Sequence, residues 1–229
     1  MLQIMSAEKA KQAAGKQAAT LVQNGMIVGL GTGSTSAYFI EALIERVKLG
    51  LKIETVASSI HSSEIAKKGG LPVLDINNAS HIDLTVDGAD EIDHQKQMIK
   101  GGGGALVREK ILAVSSKKMV VIIDESKLVS ALGKGKLPVE ILPYGAEFTY
   151  KKIEALGLQG SWREDSSKNR WITDNKNYIF DITFMAPPQD PEKIHEEILK
   201  IPGVIDTGFF FNIASLVIIG KADSSTQTF

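Results

Sequence analysis

At 229 residues and 43% apolar content, the chain is long enough to bury a core as one large domain or two small ones, and disorder is excluded. Its 26 basic and 27 acidic side chains leave a formal charge of −1, so no global excess draws it to nucleic acid or an anionic membrane, and any basic site is local. The absence of cysteine excludes a disulfide framework, a thiolate metal site and a thiolate nucleophile. With no basic-then-apolar leader and no run near ~18 apolar residues, the expectation is a cytoplasmic protein without signal peptide or membrane span.

Taken in chain order, Ser6 reads as an N-cap, opening an alanine-rich helix over residues 7–24 that Gly25 stops. Residues 26–30 form a short apolar strand, followed by GTGSTS and a helix to about Leu49 with Phe39, Leu43 and Ile44 on one side. Gly29, Gly31 and Gly33 let the backbone approach an anion, and the amides and hydroxyls of Thr32, Ser34 and Thr35 converge at the helix N-terminus, where a phosphate is stabilised. A dinucleotide fingerprint competes, because Glu54 lies about 20 residues on. It fails at its last glycine, where Ser34 or Ser36 stands, and Glu54 falls inside the expected strand 53–58. A Walker loop lacks its Gly-Lys-Ser/Thr. The serines of SSIHSSE read as caps of a short helix ended by Gly69-Gly70, and His61, His81, His94 and His195 are isolated and read as structural or exposed.

Ile82, Leu84 and Val86 alternate as a strand that ends at Asp87, on the edge where open α/β sheets hold ligands. Asp87, Asp90, Glu91 and Asp93 follow in a cluster that admits a divalent cation but lacks the calcium-loop pattern, or that hydrogen-bonds sugar hydroxyls. Lys100 and four consecutive glycines, 101–104, offer a charge and a row of amides to developing negative charge. Leu106, Ile111 and Val114 give the next helix its buried side, and Glu109 lies mid-helix between Arg108 and Lys110. Alone, that triplet reads as a solvated face; beside the glycines and aspartates it reads as functional. A strand ending at Asp124 places Ser126-Lys127 at another ligand edge, where lysine meets a phosphate.

From Leu132 the character changes. Gly133, Gly135 and Pro138 mark a linker, followed by strand 139–142, helix 146–156, a strand near Trp162, strand 178–184 after a 174–177 turn, helix 192–201 and strand 204–211. That order is a split βαββαβ unit. Phe209, Phe210 and Phe211 read as core or subunit contact, the apolar strand 216–220 returns to the first sheet, and the tail reads as frayed. The expected fold is α/β: a Rossmann-like open sheet (1–131 plus 206–229) with an inserted ferredoxin-like α+β lid (132–205).

The segments LGTGSTS, TVDGADEID, MIKGGGGALVREK and DESK, with GKGKLPVEILP, the TDN turn and IPGV, resemble the A-type ribose-5-phosphate isomerases over nearly the whole chain and in order. The resemblance implies metal-free interconversion of ribose 5-phosphate and ribulose 5-phosphate in the non-oxidative pentose phosphate branch. It implies no cofactor, no metal, a pentose 5-phosphate as partner, and a homodimer or homotetramer. It places the catalytic glutamate on Glu109 and the sugar-contacting aspartates of DGAD on Asp87 and Asp90, around Gly88 and Ala89. It places the lysine on Lys100 before Gly101, Gly102 and Gly103, the substrate-binding TGST on Thr32, Gly33, Ser34 and Thr35, and the later lysine on Lys127. Val107 stands where many relatives carry threonine, and FNIASL replaces a more polar segment of some relatives.

The chemistry suits these residues. Moving a carbonyl from carbon 1 to carbon 2 through a cis-enediolate needs one carboxylate for both proton transfers. Free glutamate, of pKa about 4.3, is a weak base for carbon, so Lys100 and the glycine amides must stabilise the oxyanion. Asp87, with or without Lys100, resembles the family's ring-opening group, and Asp90 orients hydroxyls. Two other readings are a sugar-phosphate sensor, which gives Glu109 no task, and a thioester transferase, which needs a nucleotide-sized cleft.

Overall fold

The computed structural model describes residues 2–229, with side chains from Ser6 onward, and divides into two compact units. The first comprises Met1–Ala89, Arg108–Leu128 and Ile213–Phe229; the second comprises Asp90–Val107 and Val129–Asn212. The second therefore runs a few residues beyond the expected 132–205 at each end and adds the stretch holding Lys100 and the glycine run.

In the first unit, helix α1 (Leu2–Ala19) leads to β1 (Ile27–Leu30), α2 (Ser34–Lys48), β2 (Glu54–Ala57), α3 (Ile60–Lys68) and β3 (Leu84–Asp87). Ser6 lies inside α1 and not at its cap, and the helix ends before the expected Asn24. Val73 meets Thr55 in a single parallel bridge between α3 and β3. Ser59 does cap α3, accepting a hydrogen bond from the Ser62 amide at 3.1 Å. After the excursion into the second unit, α4 (Leu106–Val114) and β6 (Met119–Asp124) follow, and β12 (Leu216–Gly220) and β13 (Thr226–Thr228) close the sheet. The tail is thus paired rather than frayed: β13 runs antiparallel to β12 from Ile218 to Gly220.

The strand order is β13-β12-β6-β3-β1-β2, parallel except for β13. β6 is buried throughout, as a strand covered on both faces must be. One face packs Ala14 and Ala18 of α1 and Phe39, Ile40 and Leu43 of α2 against Val28, Leu30, Val86 and Ile122. The other packs Leu112 of α4 against Ile27, Val56 and Ile82. Each large side chain so buried contributes about 1.5–3 kcal/mol. From β1 the chain moves outward to β2 and then returns to the opposite side as β3. The switch point therefore lies between the C-terminal ends of β1 and β3, where doubly wound sheets bind ligands.

The second unit begins with β4 (Glu91–Ile92) and β5 (Met98–Ile99), continues through β7 (Lys136–Ile141), α5 (Ala146–Ala155), β8 (Gln159–Trp162), β9 (Tyr178–Thr183), α6 (Pro191–Leu199) and β10 (Val204–Thr207), and ends with β11 (Phe209–Phe210). Its four-stranded antiparallel sheet has the order β10-β7-β9-β8, with Leu137, Val139, Ile141, Phe180 and Ile182 packed on Ala146, Ile153 and Ile198 of the helices. Asp190 caps α6 at the Lys193 amide, with Pro191 in the first turn. On the same unit, buried Glu140 gathers Thr173, Asn175 and Asn177 onto its Oε1 and so shapes the 173–177 turn. The strand expected over 204–211 is two: β10 pairs with β7, while β11 joins β5 and β4 in a separate sheet. Phe209 and Phe210 are buried within the chain.

Candidate active site

At the switch point the loop after β1 meets the end of β3. The Gly31 amide donates to the Val86 carbonyl (2.9 Å), and the Thr32 amide and Ser36 hydroxyl donate to Asp87 Oδ1 at 2.9 and 3.0 Å. The Gly88 amide adds a third donor at 2.7 Å. Asp87, 1% exposed, thus spends one oxygen holding the loop. A Cβ on Gly31 would lie 2.0 Å from that oxygen, which is why the position tolerates no side chain. Ser36, 0% exposed, drew no notice in sequence because nothing distinguishes its hydroxyl from the others in the first turn of that helix.

Gly33, at φ 105°, enters α2 without a side-chain cap, so the first-turn amides at Ser34 and Thr35 keep their donors for an anion. Thr32 Oγ1 lies 2.7 Å from Ser58 Oγ, and the Ser62 hydroxyl donates to the Gly31 carbonyl at 2.7 Å. Lys11 reaches across from α1 to donate to Ser34 Oγ at 3.0 Å. This cation escaped sequence reasoning because a lysine on an alanine-rich helix carries no motif. Lys127 follows β6 in a single 3-10 turn capped by Asp124, which accepts the Ser126 amide at 3.0 Å.

Glu109 occupies the first turn of α4, where the helix dipole favours an anion. It is 3% exposed, on one stripe with buried Leu106, Leu112 and Ala113. The expected buried side was wrong in phase: Ile111 and Val114 are 48% and 64% exposed. An acid set into the buried stripe conceals the period that apolar residues would otherwise reveal.

In the second unit Lys100 is buried, its ammonium 5.5 Å from the centre of the Phe210 ring and its amide donating to the Gly208 carbonyl at 2.8 Å. Asp90 Oδ2 accepts the Gly102 amide at 2.7 Å, and the Gly104 amide turns back to the Gly101 carbonyl at 2.9 Å. Two of the four glycine amides, those of Gly102 and Gly104, are therefore engaged by Asp90 and by the run's own carbonyl.

The acidic cluster disperses. Asp87 holds the glycine loop and Asp90 the glycine run; Glu91 accepts the amides of Gly133 (2.7 Å) and Gly135; Asp93 accepts those of Gln95 and Gln97 at 2.9 Å. Among the described residues no group of three or more metal-ligating side chains converges, and no helix is long and apolar enough to cross a membrane. Glu54 opens β2 at the far edge of the parallel sheet, remote from where a ribose-binding acid belongs.

An open parallel sheet of this order, with an uncapped glycine turn and a buried carboxylate at its switch point, defines an α/β protein of the doubly wound, small-ligand-binding class. A family model described as ribose 5-phosphate isomerase A (phosphoriboisomerase A) matches residues 54–224. A ribose-5-phosphate isomerase A of Protochlamydia amoebophila is 50% identical over 96% of this chain and 94% of its own length. One from Oceanobacillus iheyensis is 45% identical over 95% and 96%. Among solved structures, the ribose 5-phosphate isomerase of Plasmodium falciparum superposes with TM-score 0.93 at 38% identity, over 97% of this chain and 98% of that one. A D-ribose-5-phosphate isomerase in complex with phospho-erythronic acid gives 0.90 at 35% identity, over 96% of both chains. The chain belongs to the ribose 5-phosphate isomerase A family and is an isomerase.

Proposed function

We propose that this enzyme interconverts D-ribose 5-phosphate and D-ribulose 5-phosphate through a cis-enediolate, with Glu109 as the base. The observation that carries the reading is the burial of Glu109 on the apolar stripe of α4, immediately after the glycine run. Burying an ionisable group costs several kcal/mol, which a helix needed only for packing would avoid.

In this reading the Glu109 carboxylate takes the proton from carbon 2 of the open-chain aldose, leaving negative charge on oxygen 1. Lys100 and the amides of Gly101 and Gly103 stabilise that oxyanion. Glu109 then returns the proton to carbon 1 while the hydroxyl proton passes from oxygen 2 to oxygen 1, and the carbonyl re-forms at carbon 2. Asp90 orients hydroxyls, and Asp87, with Gly88 and Ala89, holds the sugar end of the switch-point loop and serves ring opening. The phosphate sits on the first-turn amides of α2, among Thr32, Gly33, Ser34 and Thr35, with Lys11 and Lys127 supplying charge. The relative solved with phospho-erythronic acid supports an acidic, phosphorylated sugar-like ligand.

Incubation with ribose 5-phosphate in heavy water tests this. Product ketose should carry deuterium at carbon 1. Complete retention of the carbon-bound hydrogen through many turnovers to equilibrium, with no solvent deuterium in either sugar, is the signature of a hydride shift and would overturn the enediolate.

A further inference from the structure

Arg163 has no part in the chemistry above, yet it is more heavily committed than any other arginine of the second unit. It follows β8, and its Nε and Nη2 donate to the two carboxylate oxygens of Asp181 on β9 at 2.9 and 2.5 Å. Both side chains are largely buried, at 15% and 5% exposure. The remaining fork nitrogen, Nη1, donates to the carbonyls of Gly101 (2.8 Å) and Gly102 (3.0 Å). The planar guanidinium suits this: one edge is locked by the carboxylate, so the other presents a donor in a fixed direction.

The consequence follows from peptide geometry. Among the described residues no peptide is cis, so each N–H of the glycine run points opposite to the carbonyl of the residue before it. With the Gly101 carbonyl turned to Arg163, the Gly102 amide points away, and there it meets Asp90 at 2.7 Å. With the Gly102 carbonyl held on the same nitrogen, the Gly103 amide is likewise turned away from the guanidinium. A cation on the carbonyl also polarises that peptide and makes its N–H a stronger donor. A run of four glycines, left alone, has more conformations to lose than any other tetrapeptide, and Gly101 stands at φ 100°.

We propose that Arg163, fixed by Asp181, is a positioning residue for the isomerisation. It aims and polarises the Gly103 amide that receives the oxyanion, acting through the 102–103 peptide and touching no substrate. The inference rests on the isomerase reading, because an amide needs aiming only if charge develops before it.

Arg163→Met should lower kcat on the order of 10²-fold, the loss seen when one preorganised oxyanion donor goes, with KM within about threefold. Arg163→Lys, which keeps the charge but not the fork, should fall between. Guanidinium ion should restore part of the kcat of Arg163→Ala, where ammonium does not. Independently of activity, hydrogen exchange in Arg163→Lys should quicken across residues 101–104 while the β7 and β9 amides stay protected. The proposal is overturned if wild type isomerises and either substitution leaves kcat within twofold. It is equally overturned if kcat, KM and Tm deteriorate together without guanidinium rescue, or if exchange in the glycine run is unchanged. A wild-type chain inactive on ribose 5-phosphate would instead overturn the isomerase reading itself, while the exchange result still reports whether the clamp holds the loop.

Discussion

Two lysines of the first unit stand on different elements, one on α1 and one in the turn after β6. Lys127, held by the Asp124-capped turn, and Lys11, bonded to Ser34 Oγ at 3.0 Å, both belong to the phosphate end in our reading. A phosphate that does not change during isomerisation is bound alike in ground and transition states, so contacts to it lower KM and leave kcat alone. Lys127→Ala should therefore raise KM about tenfold or more with kcat nearly unchanged, measured by steady-state kinetics. Lost kcat at constant KM would assign Lys127 to the reacting carbons. Asp87 drew attention as a candidate because it ends an alternating strand, but its three donors were not legible: Thr32 and Ser36 lie more than fifty residues earlier and meet it only through the parallel pairing of β1 and β3.

At the scale of elements, the parallel strands are anchored at both edges by carboxylates. The ligand edge has Asp87; the opposite edge has Asp83, which accepts the Ile27 amide at 2.9 Å and the Lys117 ammonium at 2.7 Å, with His81 at 3.2 Å. The Lys117 hydrogen bond, foremost, holds the Asp83 carboxyl below its ordinary pKa, helped by the Ile27 amide against the cost of burial. A carboxyl whose folded pKa is depressed adds stability that is complete above its unfolded value, about 3.9, and is lost as pH falls through the folded one. Lys117 is 64% exposed and screened, so Asp83→Asn should cost about 1 kcal/mol in urea unfolding at pH 7. That deficit should shrink toward pH 3, and turnover should not change. A deficit constant with pH would show that packing, not the ion pair, is lost. The elements themselves were largely readable: strand β6 from its apolar run, α6 within two residues of its expected bounds, the split order of the second unit from its punctuation. What resisted were features set by distant partners. The pairing of β13 with β12 and the division of 204–211 at Gly208 depend on neighbours that no local pattern names.

For the molecule as a whole, irregular features concentrate at particular points of each unit. In the first, Gly31, Gly33, Asp87 and Asp124 stand at or just after the C-terminal ends of parallel strands; in the second, Lys100 and the glycine run lie in the stretch that follows β3, while buried Glu140 and Asp181 belong to the antiparallel sheet. Glu109 is a sharp case, since its burial broke the phase of an otherwise plain amphipathic helix and made a buried position look least like core. The central claim is that this carboxylate carries the proton between carbons 1 and 2. Replacing Glu109 by Gln keeps the shape and removes the base. Our account predicts that deuterium exchange at carbon 2 of ribose 5-phosphate in heavy water falls at least ~10²-fold, with substrate affinity kept within a few-fold. Exchange at the wild-type rate in that variant would contradict it.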